Sequence, residues 1–369
     1  MPQCRRRASR LTGDFWRRHK RKVYVSLGIF GSGYLLYKIH HWHRRRLSDL
    51  ETELAHEREN DELIRARMQE HFQNIQMIAD STTLPHVMEY LSSRVEDELD
   101  IALIMEKLMR GKDKPNSLTA TEKLELWNQL KILSFTRMVL SLWSMTLLSL
   151  YIRVQANILG RHLYINTARV LGDSNLLEEA DVIGRKDEQL FLASADFLSN
   201  FGVHNLRCSI EAAASEILIG KQLKDVVILS TLYDIIVQIL DAFMSSGSPH
   251  QWLSYLMPVN ATELKLTEPT TSGNADLLRA TKFEQLMSET REVLSSAEFG
   301  SVVHISVKTA IGESNLMSGL PLAKVLPRIA QMGKLLLEEP NRNRYIHVIH
   351  NIPEVEVFFT LLYSSTSNC

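Results

Sequence analysis

One segment of this 369-residue chain is long, apolar and free of charge. No Asp, Glu, Lys or Arg occurs between Arg137 and Arg153, within a longer helical pattern that runs from Leu118 to Ile165. So many adjacent apolar side chains must be buried, either in a protein core or in a bilayer. Serine and threonine recur through the segment, which favours burial inside a helical bundle over a second membrane span.

A second apolar run, much closer to the N-terminus, is surrounded by basic residues. Residues 1–46 contain 13 of the 42 Lys and Arg residues but one of the 43 acidic residues. The uncharged run VYVSLGIFGSGYLLY, residues 23–37, is shorter than the roughly 20 residues of a typical spanning helix. Flanking Lys22 and Lys38 can extend it by snorkelling to the membrane surface. We therefore predict a single membrane anchor at about residues 23–39.

The anchor and its flank are defined by these side chains. The apolar anchor residues are Val23, Leu27, Ile29, Phe30, Tyr34, Leu35 and Leu36, and the basic targeting cluster is Arg17, Arg18, Lys20, Arg21 and Lys22. A cleaved secretory signal fits less well, because the basic region is long and the run ends in Lys38. A mitochondrial presequence over residues 1–22 remains an alternative, although it leaves the apolar run unexplained.

The rest of the chain, residues 47–369, is predicted to form an all-α body. Apolar residues recur at three- and four-residue spacing through most of it, and Gly and Pro are few. Even the β-branched stretch VVILSTLYDIIVQIL, residues 226–240, is interpreted as helix because helices surround it. The expected fold is an N-terminal anchor followed by one large elongated helical bundle.

The motifs of common catalytic and cofactor sites do not occur in the sequence. There is no phosphate-binding loop, no His-Glu-x-x-His and no paired-cysteine motif. The basic N-terminus lacks an aromatic-rich nucleic-acid module and is better explained as a membrane flank. We therefore expect neither an enzyme nor a cofactor, metal, nucleic-acid or small-molecule site.

The start of the long apolar segment has apolar residues on more than one face. Leu124, Trp127, Leu130 and Lys131 share one helical face, and Lys123 lies four residues before Trp127. Trp127 could pack inside the bundle. Alternatively, it could anchor a groove that accepts an amphipathic helix with acids along its edge. Periodicity alone leaves both alternatives open.

The chain resembles the peroxin-3 family of peroxisomal biogenesis factors, most strongly in KLELWNQLKILSFTR at residues 123–137 and LYIRVQANILGRHLYI at residues 150–165. Weaker matches are ARMQEHFQNIQ at residues 66–76 and LPLAKVLP at residues 320–327. The sequence resembles a plant-type member. The resemblance implies a peroxisomal membrane protein with its body in the cytosol, with possible transit through the endoplasmic reticulum.

The resemblance also implies a partner and a binding site. The partner is the peroxin-19 receptor, whose amphipathic N-terminal helix docks in a hydrophobic groove and so enables membrane-protein insertion; the other contact is membrane lipid. The family's groove tryptophan and two lysines correspond to Trp127, Lys123 and Lys324. The complete predicted site is Trp127, Lys123, Leu124, Leu130, Lys131, Lys324 and, as approximate equivalents, Met105 and Leu108. The alternatives are a helical adaptor on the mitochondrial outer membrane and a membrane-anchored enzyme.

Overall fold

A computed structural model describes residues 69–113, 119–172, 184–246, 250–258, 274–313 and 319–364, with short helical pieces between residues 38 and 67. The predicted anchor residues and the basic targeting cluster lie outside these ranges. The chain divides into two compact units, Met1–Glu70 and His71–Cys369. The second unit contains the predicted partner-binding residues.

The second unit is built almost entirely of helices, which confirms the all-α prediction. Its helices are α1 (Leu84–Glu98), α2 (Ile101–Asp113), α3 (Ala120–Gly172), α4 (Arg185–Ala193), α5 (Val203–Ile217), α6 (Leu229–Ser245), α7 (Leu253–Leu256), α8 (Asn274–Leu294), α9 (Ala297–Gly312), α10 (Leu322–Leu336), α11 (Arg344–His350) and α12 (Pro353–Ser364). Short π or 3-10 turns occur at Ala79–Thr83, Ser194–Asp196 and Leu198–Gly202. Two short strands, β1 (Val226–Val227) and β2 (Leu320–Pro321), pair antiparallel.

Helix α3 is the centre of this unit. It is 53 residues long and packs against ten of the other helices, most extensively against α10. The two helices approach closely at Gly333, where an added Cβ would lie 2.9 Å from Arg137 Cγ. A larger residue would therefore push α10 away from α3, so the close packing requires glycine at this position.

The charge-free part of α3 lies in the protein core. Residues 138–152 are all buried, including the large side chains of Trp143 and Tyr151. The indole of Trp143 packs edge-on against Phe243 and Trp252, with ring centroids 5.7 and 6.1 Å away. Within the described residues, Ala120–Leu163 is long and apolar enough to cross a membrane, but 83% of its most apolar window is buried by protein. The helix is therefore a core helix, as its serine and threonine content predicts.

Two buried polar side chains on α3, Tyr151 and Gln155, form hydrogen bonds with a neighbouring segment. Gln155 Nε2 donates to the Phe191 carbonyl at 2.7 Å and to Ser194 Oγ at 2.8 Å. The Tyr151 hydroxyl lies 3.0 Å from the same Ser194 Oγ, and burial raises the pKa of Tyr151 above its usual value. These hydrogen bonds link α3 to the end of α4.

One secondary-structure prediction is wrong. The residues from 226 onward do not form a single helix, because Val226 and Val227 belong to strand β1 and helix α6 begins only at Leu229. Pairing with β2 overrides the local preference: Val226 lies opposite Pro321 and Val227 opposite Leu320. The loop between α5 and β1 contains Gly220 at φ +82°, a left-handed conformation that favours glycine.

Candidate functional site

The N-terminus of α3 is fixed by a capping box. The Thr119 N–H and hydroxyl both donate to the Glu122 carboxylate at 2.7 Å, and the Glu122 N–H donates back to the Thr119 hydroxyl at 3.2 Å. These bonds from Thr119 lower the pKa of Glu122. Because the cap sets where the helix begins, it also sets which way Lys123 and the following residues face.

An open groove of about 680 Å³ lies beside the first turns of α3. Leu124, Asn128 and Ile132 form its α3 side. The other side is formed by the end of α5 and the loop that follows, here called the 218–225 loop. The complete lining is Leu124, Asn128, Lys131, Ile132, Ser215, Leu218, Ile219, Gly220, Lys221, Gln222, Leu223 and Lys224. Its volume falls in the range of typical ligand sites, and its lining mixes apolar and basic side chains.

Lys131 holds the 218–225 loop against α3. Its side chain is only 7% exposed, and Nζ donates to the carbonyls of Leu218 at 3.2 Å and Lys221 at 2.9 Å. Leu218 is the C-terminal cap of α5, where carbonyls lack helical partners and a cation is favoured. Burial lowers the pKa of Lys131, and nearby Asp225 partly counteracts that shift.

The same loop is bonded to the start of α10. The N–H of Leu322 donates to the Asp225 carbonyl at 2.9 Å, and the N–H of Ala323 donates to the Leu223 carbonyl at 3.0 Å. The N–H groups in the first turn of a helix have no acceptor within that helix. Those of Leu322 and Ala323, in the first turn of α10, find acceptors in the 218–225 loop. Lys324 is the next residue, so the predicted lysine of the LPLAK block lies one residue from a contact with the groove wall.

The predicted site residues differ in how far they can be reached from solvent. Leu124 and Lys324 are exposed, and Lys123, Trp127 and Met105 are half-buried. Leu108, Leu130 and Lys131 are buried. Leu108 and Leu130 therefore belong to the hydrophobic core, and Lys131 holds the 218–225 loop against α3.

Trp127 lies next to the groove and does not line it. It is three residues after Leu124 and four before Lys131, both of which line the groove, so the three side chains are neighbours on one helix face. Trp127 packs partly against the hydrophobic core. The structure thus brings Leu124, Trp127, Lys131 and the start of α10 to one region of the surface.

Sequence reasoning missed the residues of the 218–225 loop. Ile219 is 77% exposed, and Lys221 and Lys224 are exposed as well. The one local signal was Gly220 between two apolar helical patterns, which indicates a helix end. Nothing in the local sequence indicates that this helix end lies against α3, some 90 residues earlier in the chain.

Comparison with known proteins agrees with the resemblance seen in the sequence. A sequence model of the Peroxin-3 family matches residues 112–320, more than half of the chain. The chain is 54% identical to Peroxisome biogenesis protein 3-2 of Arabidopsis thaliana, over 95% of this chain and 98% of that protein. This chain belongs to the peroxin-3 family.

Two further relatives place the chain within that family. Peroxisome biogenesis protein 3-1 of Arabidopsis thaliana is 52% identical over 96% of this chain and 99% of its own length. Human Peroxisomal biogenesis factor 3 is 26% identical over 96% of both chains. The chain is therefore a plant-type peroxin-3 with a role in peroxisome biogenesis. The names of these relatives describe a biogenesis factor rather than an enzyme.

Proposed function

We propose that this chain is a docking factor of the peroxisomal membrane that binds the peroxin-19 receptor. The surface at the start of α3 would accept the amphipathic N-terminal helix of the receptor, so that newly made membrane proteins are delivered for insertion. The observation that carries the proposal is the position of Trp127: a half-buried aromatic beside an open groove, on a helix whose first turns are fixed by a capping box.

The chemistry of this surface suits an amphipathic helix. Half-buried tryptophan is typical of binding hot spots, because a large ring can be covered fully by a partner without a large entropic cost. Exposed Leu124 adds apolar area next to it, and Lys123 and Lys324 supply positive charge for acids on the edge of the partner helix. The bound helix would therefore have its apolar face against α3 and its acidic edges beside lysines.

Replacing Trp127 tests the proposal directly. We expect Trp127→Ala to weaken binding of the receptor helix by about 2 kcal/mol or more, the usual threshold of a hot spot. The measurement is a calorimetric titration of the full chain in detergent with a peptide of the peroxin-19 N-terminal helix. Phe201→Ala is the matched control, because it removes an exposed aromatic outside the groove lining, between α4 and α5. Unchanged affinity in a Trp127→Ala protein with a normal helical circular dichroism spectrum would disprove the assignment.

The proposal includes an arrangement in the membrane. Residues 23–39 would anchor the chain in the peroxisomal membrane, with residues 47–369 in the cytosol, whether the protein arrives directly or through the endoplasmic reticulum. This orientation places the groove where a soluble receptor can reach it. In protease treatment of intact peroxisomes, we expect the body to be digested without detergent. Full protection of residues 47–369 until the membrane is dissolved would contradict the cytosolic orientation.

The proposed activity requires no bond making or breaking. Docking depends on the shape and charge of the surface, and the residues that carry it are apolar or basic. We therefore propose a binding protein without a cofactor or small-molecule substrate.

A further inference from the structure

Helix α6 covers the core with one face and leaves an apolar row uncovered on another. The side chains of its core face are Leu232, Ile235, Ile236, Ile239, Leu240 and Phe243. Leu229, Tyr233 and Val237 follow one another at four-residue spacing, so they are neighbours along a second face of the helix. Leu229 is 44% exposed, and Tyr233 and Val237 are half-buried. Apolar area therefore remains open to solvent along the first turns of α6.

The strand before α6 extends this uncovered area. Val226 is 64% exposed and Ile228 is 51% exposed, whereas Val227 between them is buried. Alternate residues of an extended chain face the same side, so Val226 and Ile228 share the outer side of this segment. The apolar row thus begins before the helix does. None of its residues lines the groove beside Trp127.

Two acids on the solvent side of α6 lie beside the apolar row. Asp234 and Asp241 are exposed, and they are seven residues, or about 10 Å, apart along the helix. Within the described residues neither carboxylate forms an ion pair, whereas Asp80 and Glu96 each do. Burial raises the pKa of Tyr233, and the charges of Asp234 and Asp241 raise it further. Both acids therefore act on the hydroxyl of the tyrosine in the apolar row.

Uncovered apolar side chains beside unpaired acids define the chemistry of a partner. Tyrosine is enriched in binding hot spots, and Leu229 and Val237 offer apolar contact on either side of Tyr233. The two carboxylates favour a cationic partner, and they repel both an anionic lipid surface and the acid-edged helix proposed for the groove beside Trp127. An amphipathic helix with Lys or Arg seven residues apart along one edge would cover the row and pair with both acids.

We propose that this face of α6 is a docking surface for a basic-edged amphipathic helix of a partner protein. Leu229, Tyr233 and Val237 contact the apolar face of the bound helix, and Asp234 and Asp241 pair with its cations. The surface is fixed before binding, because the opposite face of α6 is buried in the core, and this lowers the entropic cost of association. The inference goes beyond the proposed receptor site, since its residues and its charge are different.

Site-specific photocrosslinking with a defined probe tests the proposal. Val237 of the full chain is replaced by p-benzoylphenylalanine, and the protein is placed in nanodiscs of neutral phosphatidylcholine. The probe is a peptide of about five helical turns with leucines on one face and lysines along one edge. We expect it to crosslink at position 237, and a companion peptide with glutamates in place of the lysines to crosslink far less. The same crosslinker at Ser301, an exposed residue of α9, should capture little of either peptide.

The role of the acids is tested with Asp234→Asn and Asp241→Asn together. Because an exposed ion pair contributes modestly, we expect this double variant to lower capture of the lysine peptide roughly fivefold at low salt and less at high salt. The matched control is Glu89→Gln with Asp97→Asn, which removes two exposed acids from α1. Unchanged capture in the double variant of α6, or equal capture of the lysine and glutamate peptides, would overturn the proposal.

The role of the apolar row is tested with Leu229→Ser. We expect a several-fold loss of capture at position 237, with a circular dichroism spectrum that shows the helices intact. The matched control is Leu361→Ser, which changes an exposed leucine on α12 and should have no effect. Equal capture by these two variants would exclude the apolar row from the surface.

Two further measurements separate this surface from other occupants. Trp127→Ala should leave capture at position 237 unchanged, and a loss of capture would mean that the peptide binds the groove instead. Irradiation without peptide should give no crosslinked pair of chains. Such a pair would show that a second copy of the chain covers α6 and would overturn the assigned partner.

Discussion

The middle and the start of helix α3 have different roles. From residue 138 to residue 152 every side chain is buried, and ten helices share the surface of α3. From residue 120 to residue 129 no side chain is fully buried, and the helix contributes one wall of an open groove. The same helix is thus a core element along its middle and one wall of an open groove at its start.

The difference shows why apolar composition alone does not identify a binding site. The buried part is more apolar than the start of the helix, yet it has no surface to offer a partner. The start has fewer apolar residues, but they lie where neighbouring segments leave space and where lysines surround them. A candidate binding surface is therefore identified by the apolar groups that remain uncovered after folding.

The largest expected effect is a loss of stability when a buried side chain in the middle of α3 is removed. We expect Trp143→Ala to lower the free energy of unfolding by about 3–5 kcal/mol, because it leaves a cavity against Phe243 and Trp252. Thermal or denaturant unfolding of the full chain in detergent measures this. Leu124→Ala is the control at the start of the helix, where an exposed side chain should change stability by no more than about 0.5 kcal/mol. Equal losses of stability in the two variants would show that the middle and the start of α3 do not differ in burial as described.

A smaller and more local effect is expected at the junction between the core and the groove. Lys131→Met keeps the length of the side-chain stem but removes the donor to the carbonyls of Leu218 and Lys221. A hydrogen bond to a charged group contributes about 1.5–3 kcal/mol, so we expect a stability loss in that range. Hydrogen exchange should become faster in the 218–225 loop and at the end of α5, and receptor-helix affinity should fall.

The matched control for that experiment is Lys221→Met, which changes an exposed lysine in the same loop and leaves its carbonyl in place. Its exchange pattern should stay close to that of the unchanged protein. If Lys131→Met leaves exchange of the loop unaltered, Lys131 does not hold the groove wall, and its burial has another cause.

Much of this architecture could be predicted from residues close together in sequence. The helical class follows from three- and four-residue spacing of apolar residues. The core position of residues 138–152 follows from their missing charges together with their hydroxyl side chains. Each of these signals is local, since helix formation depends on neighbours within one or two turns.

The site could be predicted only in part, for a physical reason that Lys131 makes clear. The sequence places this lysine on the same face as Leu124 and Trp127, which suggested a contact with the partner. In the folded protein its ammonium is bound to carbonyls 87 and 90 residues away. No local pattern encodes such a contact.

The sequence by itself determined the class of fold, the core helix, the family and one face of the candidate site. Tertiary structure decided that the apolar stretch after α5 is interrupted by a loop and a strand, and that this loop forms the other wall of the groove beside Trp127. The reason is that a groove exists only between segments, and its shape and charge depend on which distant residues folding brings together.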